Sequence, residues 1–128
     1  MQSSNGDIHL LPALPDEWKK EGSISGLRAI GGFELTNLQW KNGKVIKAVF
    51  KSTIGGNLRL RVPNEMKLIN DKNLKNATGI SSNTFYQYDT APDPIIADNS
   101  VITIPVVKEM FVYDLPTKAG RSIILISK

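Results

Sequence analysis

The chain has no cysteine and a single histidine in 128 residues. Disulfides and thiolate metal sites are therefore excluded, and His9 alone cannot assemble a histidine zinc cluster, so neither a metal nor another cofactor is expected. Stability has to come from packing. Aromatic residues make up only 7% of the chain, which leaves few rings for a binding surface once a core has been filled. No apolar run approaches the length of a bilayer span, and Met1 to Asp7 lack the basic and apolar regions of a signal peptide, so the chain as given reads as soluble without a membrane partner. If it is a piece of a longer protein, that start says nothing about where the parent works. Arginine is also scarce, 4 against 12 lysines, and the lysines behind the net charge of +4 run from Lys19 to Lys128. A nucleic-acid surface clusters Lys and Arg with aromatics between them, so nucleic acid is not an expected partner.

What is present is a succession of short apolar stretches separated by turn chemistry. The length suits one domain with a single core. Asn5-Gly6-Asp7 is a turn sequence, and Met1 to Asn5 before it read as a tail. Ile8, Leu10, Leu11 and Leu14 are too apolar for a free tail and are held extended by Pro12 and Pro15. Asp16 to Lys20 suits one helical turn, acids first and lysines last. From Phe33 the pattern has period two, but Phe33 and Leu35 differ in parity from Leu38 and Trp40. A β-bulge near Thr36-Asn37 would return all four to one face. Asn42-Gly43 is the strongest hairpin signal. In the strand after it, Ile46, Ala48 and Phe50 mark one face and Val45, Lys47, Val49 and Lys51 a mixed one. Ile54-Gly55-Gly56-Asn57 turns into the cleanest alternation, Leu58 to Val62, suggesting a three-stranded meander.

Pro63 ends that stretch and Met66 to Ile69 makes a short further strand. Residues 70–83 read as an exposed loop, and the glycosylation tripeptide Asn76-Ala77-Thr78 within it is too common by chance to carry weight. Phe85 to Tyr88 and Val101 to Val107 are further strand candidates, the second limited to an edge or bulge by Pro105. Met110 to Leu115 and Ser122 to Ser127, joined by the Pro116 to Gly120 turn, read as a closing hairpin. Together these predict an all-β, antiparallel two-sheet β-sandwich over 1–128.

No enzymatic constellation is visible. Gly22-Ser23-Ile24-Ser25-Gly26 lacks the strand-turn-helix setting that exposes a nucleophile. His9, in an apolar run, reads as a structural residue rather than a base. The acids are scattered over turns and strand ends with nothing to pair two of them across a bond. Catalytic residues: none are expected. A different class of function, sugar binding by stacked rings, has Trp18, Trp40, Tyr86, Tyr88 and Tyr113 as candidates. Trp18 is favoured as a core anchor over an exposed platform, and Trp40 falls in register with apolar partners once the bulge is allowed.

The stretch His9 to Trp18, "HLLPALPDEW", then Leu27-Arg28-Ala29 after Gly26, then Gly31 to Glu34, "GGFE", stand in an order that closely resembles the segment entering the C-terminal β domain of glycoside hydrolase family 95. The family comprises α-L-fucosidases and related α-L-galactosidases. "YDLPTKAG" at Tyr113 to Gly120 is similar to the end of the same domain. The chain departs from the family run by one extra residue between Phe33 and Trp40, where the bulge is expected. The resemblance implies an accessory domain in which 1–7 is a residual linker from an upstream helical catalytic domain, an (α/α)6 barrel holding the inverting general acid and base. It also implies that glycans are possible partners. From their apolarity alone, Ile8, Leu10, Leu11 and Leu14 are expected to pack against this domain or against the missing one, and together with Trp18 they put more apolar surface here than a short entry segment needs, so part of it is expected to be exposed as an interdomain packing surface. The parent would be a bacterial enzyme, secreted or periplasmic. An independent carbohydrate-binding module is the alternative.

Overall fold

Asn42 and Gly43 both take positive φ, 50° and 69°, giving the mirror-image turn whose twist matches two antiparallel strands. In the computed structural model, which describes residues 1–4, 6–87, 92–97, 100–103, 105–106 and 108–128, that turn joins the two longest strands. Eleven strands are found among the described residues: β1 Gln2–Ser4, β2 Asp7–His9, β3 Glu21–Ile24, β4 Leu27–Ala29, β5 Phe33–Lys41, β6 Lys44–Ser52, β7 Gly56–Val62, β8 Met66–Leu68, β9 Lys75–Asn76, β10 Phe111–Thr117 and β11 Ser122–Ser127. They form two sheets. The first runs β1-β2-β7-β10-β9 and the second β3-β5-β6-β11-β8, with β4 also paired to β5. All pairings are antiparallel except β2 with β7. The fold is therefore the expected two-sheet β-sandwich.

The parity of β5 is repaired as the pattern requires. Leu35 pairs with Phe50 and Asn37 with Val49, so Thr36 is the extra residue, and Phe33, Leu35 and Leu38 are all buried. A second irregularity lies across from it. Gln39 pairs with Lys47 but Trp40 with Val45, so Ile46 is skipped on β6. This corrects the expected face. Val45, Ala48 and Phe50 point inward, and Ile46 is left 41% exposed, because a bulge shifts the alternation by one. Phe33, Leu35, Leu38, Val45 and Phe50 meet Ile8, Leu58, Leu60, Val62 and Tyr113 of the first sheet, each large apolar side chain contributing about 1.5–3 kcal/mol by leaving water.

Several pairings differ from the expected ones. The meander stops at two strands: β7 lies between β2 and β10, and the free edge of β6 is taken by β11. Met110 to Ser127 is likewise no hairpin, since β10 belongs to the first sheet and β11 to the second. Both departures have one cause. Gly55 and Gly56, at φ 84° and 96°, and Gly120 at 75° send the chain across the sandwich instead of back along it. The two crossings are tied by Ser52, which has no solvent exposure. Its amide donates to the Arg121 carbonyl (2.9 Å) and its carbonyl accepts from the Gly120 amide (2.8 Å). Its Oγ accepts from the Gly55 amide at 3.0 Å and shares a hydrogen bond with the Thr117 hydroxyl at 2.9 Å.

The remaining differences are local. Gln2–Ser4, expected as a tail, pairs antiparallel with β2, and the Ser3 hydroxyl accepts from the Ile30 amide at 2.9 Å. Residues 70–83 are mostly exposed, yet they contain β9, and Ser81 and Asn83 are buried. Phe85 to Tyr88 is not a strand. Thr84–Tyr86 is one 3-10 turn whose Phe85 amide is capped by the Asn83 side chain, and Tyr88 lies outside the described residues. Of Val101 to Val107, the described residues 101–103, 105 and 106 carry no strand and are exposed. Pro105 offers no amide to a ladder. Ser52→Ala should leave the half-buried Gly55 amide without its partner, the Thr117 hydroxyl keeping the Gly56 carbonyl, and lower stability by ~1 kcal/mol, read as a lower urea midpoint at unchanged slope.

Candidate functional site

The N-terminal apolar segment is the first candidate surface, and the structure divides it. Ile8 and Leu10 have no exposure at all, because β2 joins β7 in parallel, Ile8 beside Leu60 and His9 beside Arg61, and the Leu10 amide donates to the Arg61 carbonyl at 2.9 Å. Those two side chains belong to this domain's own core and offer nothing for docking. The alternation Ile8, His9, Leu10 was the sequence signal for it. Leu11, at φ 52°, and Leu14 are half-buried.

The aromatics separate in the same way. Trp18 ends a 3-10 turn, Asp16–Trp18, in which no residue is buried, and is 62% exposed, so it is not the expected core anchor. Trp40 is half-buried against the core. Its indole lies over Gly22, its partner on β3, where any Cβ would fall 2.2 Å from a ring carbon, and its Nε1 donates to the Trp18 carbonyl at 2.7 Å. The two tryptophans thus share a corner through a backbone contact. Tyr86 is buried, stacked on Phe33 at 6.5 Å, and donates its hydroxyl to the Ile30 carbonyl at 3.1 Å; burial pushes that hydroxyl's pKa up. Tyr113 is buried beside Phe111. Among the described residues each stacked pair buries at least one ring, so neither forms a sugar platform of two exposed faces. Phe85, 57% exposed, is an open ring that the sequence reading did not single out.

Charged groups on the outer face of the first sheet are consumed by one another. Arg59 and Asp114, register partners on β7 and β10, form a two-pronged pair at 2.9 and 2.8 Å, and Asn57 donates to the same carboxylate at 2.7 Å. Arg59 also donates to the Gly79 and Thr78 carbonyls. The hydrogen bond from Arg59 holds the Asp114 carboxyl below the usual range, the reverse of what a general acid needs near neutrality. Asp16, hydrogen-bonded to exposed Lys19, is lowered as well. Arg61 pairs with Asp7 at 2.7 Å. His9 is lowered, chiefly by burial, with Asp7 opposing and Arg61 assisting. No group of three potential ligands for a metal ion occurs among the described residues.

The sequence profile of glycoside hydrolase family 95, C-terminal domain, matches residues 2–95. The chain belongs to this family. No curated protein matches it. The matched stretch covers β1 to β9 and the motifs at His9 to Trp18, Leu27 to Ala29 and Gly31 to Glu34, while the Tyr113 to Gly120 motif lies beyond it. Each matched family 95 motif has a structural task here. The first supplies the last residue of β2, buried Leu10 and the turn under Trp40; the second supplies β4, with Arg28 beside Glu34. In the third, Gly31 and Gly32 at φ 85° and 73° bring the chain into β5, and the Gly32 carbonyl accepts from the Thr53 amide at 2.8 Å.

Two measurements follow. Gly32→Ala would strain a left-handed backbone and press a Cβ to 2.7 Å from Ile54 and Thr53, so this family 95 domain should lose ~2–4 kcal/mol, whereas Trp18→Ala should change stability by no more than about 0.5 kcal/mol. Acid should act in two steps. His9, lowered from 6.5, lets the unfolded chain bind its proton first, so stability falls as pH drops below 6.5. Asp114, lowered from 3.8, stabilises fully above that value and ceases to as pH falls below it. His9→Gln should flatten the upper step and Asp114→Asn the lower one in a stability profile taken by denaturant titration.

Proposed function

We propose that this domain is a non-catalytic accessory β-sandwich of a glycoside hydrolase, supporting an upstream (α/α)6 catalytic barrel in the same parent chain. The parent would release α-L-fucose or α-L-galactose from glycan ends by inversion, and would be secreted or periplasmic in a bacterium. One observation carries the reading: the motifs shared with the family are spent on strand pairing, a turn and a core residue rather than on a cleft with two carboxyl groups. Inverting cleavage needs an acid to protonate the leaving oxygen and a base to activate water, set far enough apart to admit that water. Asp7, Glu65, Asp71 and Asp114 are each held by a cation instead.

A second reading, an independent carbohydrate-binding module, has the open ring of Trp18 in its favour. A titration of Trp fluorescence with fucosylated oligosaccharides tests it, and no saturable change is expected. For the main reading, the purified chain is incubated with 2-chloro-4-nitrophenyl α-L-fucoside. The expected result is no turnover above a heat-denatured control. Turnover removed by changing one Asp or Glu of this chain would overturn the accessory role.

A further inference from the structure

The family match ends at residue 95, yet both sheets are completed by strands beyond it. β10 lies between β7 and β9 in the first sheet, and β11 between β6 and β8 in the second, so without 111–128 each sheet falls into two parts. β10 follows β7 from Phe111 beside Val62 to Thr117 beside Gly56. β11 follows β6 from Ser122 beside Lys51 to Ile126 beside Lys47, with β8 on its other edge. Tyr113, Leu115 and Leu125 are buried in the core, the Lys128 amide donates to the Glu65 carbonyl at 3.1 Å, and Asp114 meets Arg59. The stretch leading to these strands has the opposite character. Ile95, Val101 and Val106 are fully exposed, and Ile96 and Ile102 more than half exposed. Among the described residues of 92–106, the hydrogen bond found joins the Ser100 amide to the Ala97 carbonyl at 3.1 Å, inside the stretch itself.

We propose that β10 and β11 are a docked strand pair, held by the slots in the two sheets and not by their covalent connection, so that a chain cut within 92–106 stays one folded domain. The slots define their occupant. It must set apolar residues at 113 and 115 into the first sheet and at 123 and 125 against the core from the second. It must bring a carboxylate at 114 to Arg59 and Asn57, and its link must turn at Ser52, whose backbone groups bond Gly120 and Arg121. Residues 111–128 of the same chain meet each condition. The stretch before them adds proximity alone, an effective concentration on the order of millimolar.

Limited digestion of the full chain with thermolysin, which cuts before Ile, Leu, Val and Phe, tests the proposal. The first cuts should fall before Ile95, Ile96, Val101 or Ile102. They should be roughly tenfold faster than the cut before Ile80, which is 88% exposed but follows Thr78 and Gly79, whose carbonyls are held by Arg59. The two pieces should elute together at the mass of the intact chain. At about 10 μM protein, the lost tether should lower the folded-to-unfolded ratio roughly a hundredfold and make the melting midpoint rise with concentration, as that of the intact chain does not. After unfolding in urea, dilution with excess labelled synthetic peptide 109–128 should return a folded domain carrying the label. The proposal is overturned if the pieces separate in native buffer, if the first cut lies outside 92–106, if the midpoint ignores concentration, or if no label is taken up. Elution at the mass of two chains, meaning strands exchanged between copies, overturns it as well.

Discussion

The sandwich depends on one constraint: the chain must cross between its two sheets twice at the same corner, after β6 and after β10, and the crossings must not pull apart. Ser52 meets it. A side chain with no exposure offers both backbone groups to the 120–121 turn and its hydroxyl oxygen to the 53–56 turn. An apolar residue there would leave the half-buried Gly55 amide without its side-chain partner, while the Thr117 hydroxyl would keep the Gly56 carbonyl. Once the corner is held, β7 and β10 must lie together in one sheet and β6 and β11 together in the other.

The second requirement is parity. Nine-residue strands such as β5 and β6 bury alternate side chains only if their alternation stays in step with the facing sheet. Each strand slips once, at Thr36 and at Ile46, and the slips bring Leu38, Trp40 and Val45 to the inner side. The turn at Asn42-Gly43 between them is fastened from outside, its two amides donating to the Lys20 and Lys19 carbonyls at 2.9 Å each. Trp40 then covers Gly22, so the short edge strand β3 is closed by a ring from its neighbour where its own residue has no side chain.

These arrangements bear on function because they show where the family 95 motifs act. Glycine at 31 and 32, leucine at 10 and the 3-10 turn at 16–18 build the way in to β5. The polar face of the first sheet neutralises itself.

Much was legible in the chain itself. Absence of cysteine, the period-two stretches, the Asn42-Gly43 turn and the parity break near Thr36 are local facts, and local backbone preferences act on them without knowledge of the rest; they determined an all-β sandwich, its longest hairpin and one bulge. The ordered motifs determined the family. Tertiary structure alone decided which edges meet. Any strand edge presents the same row of amides and carbonyls, so pairing is chosen by which apolar rows can face one another across the sandwich, a long-range condition that local pattern does not carry. That choice put β7 with β2 and β10 instead of β6, drew Ile8 and Leu10 inside, left Trp18 out and set Arg59 against Asp114.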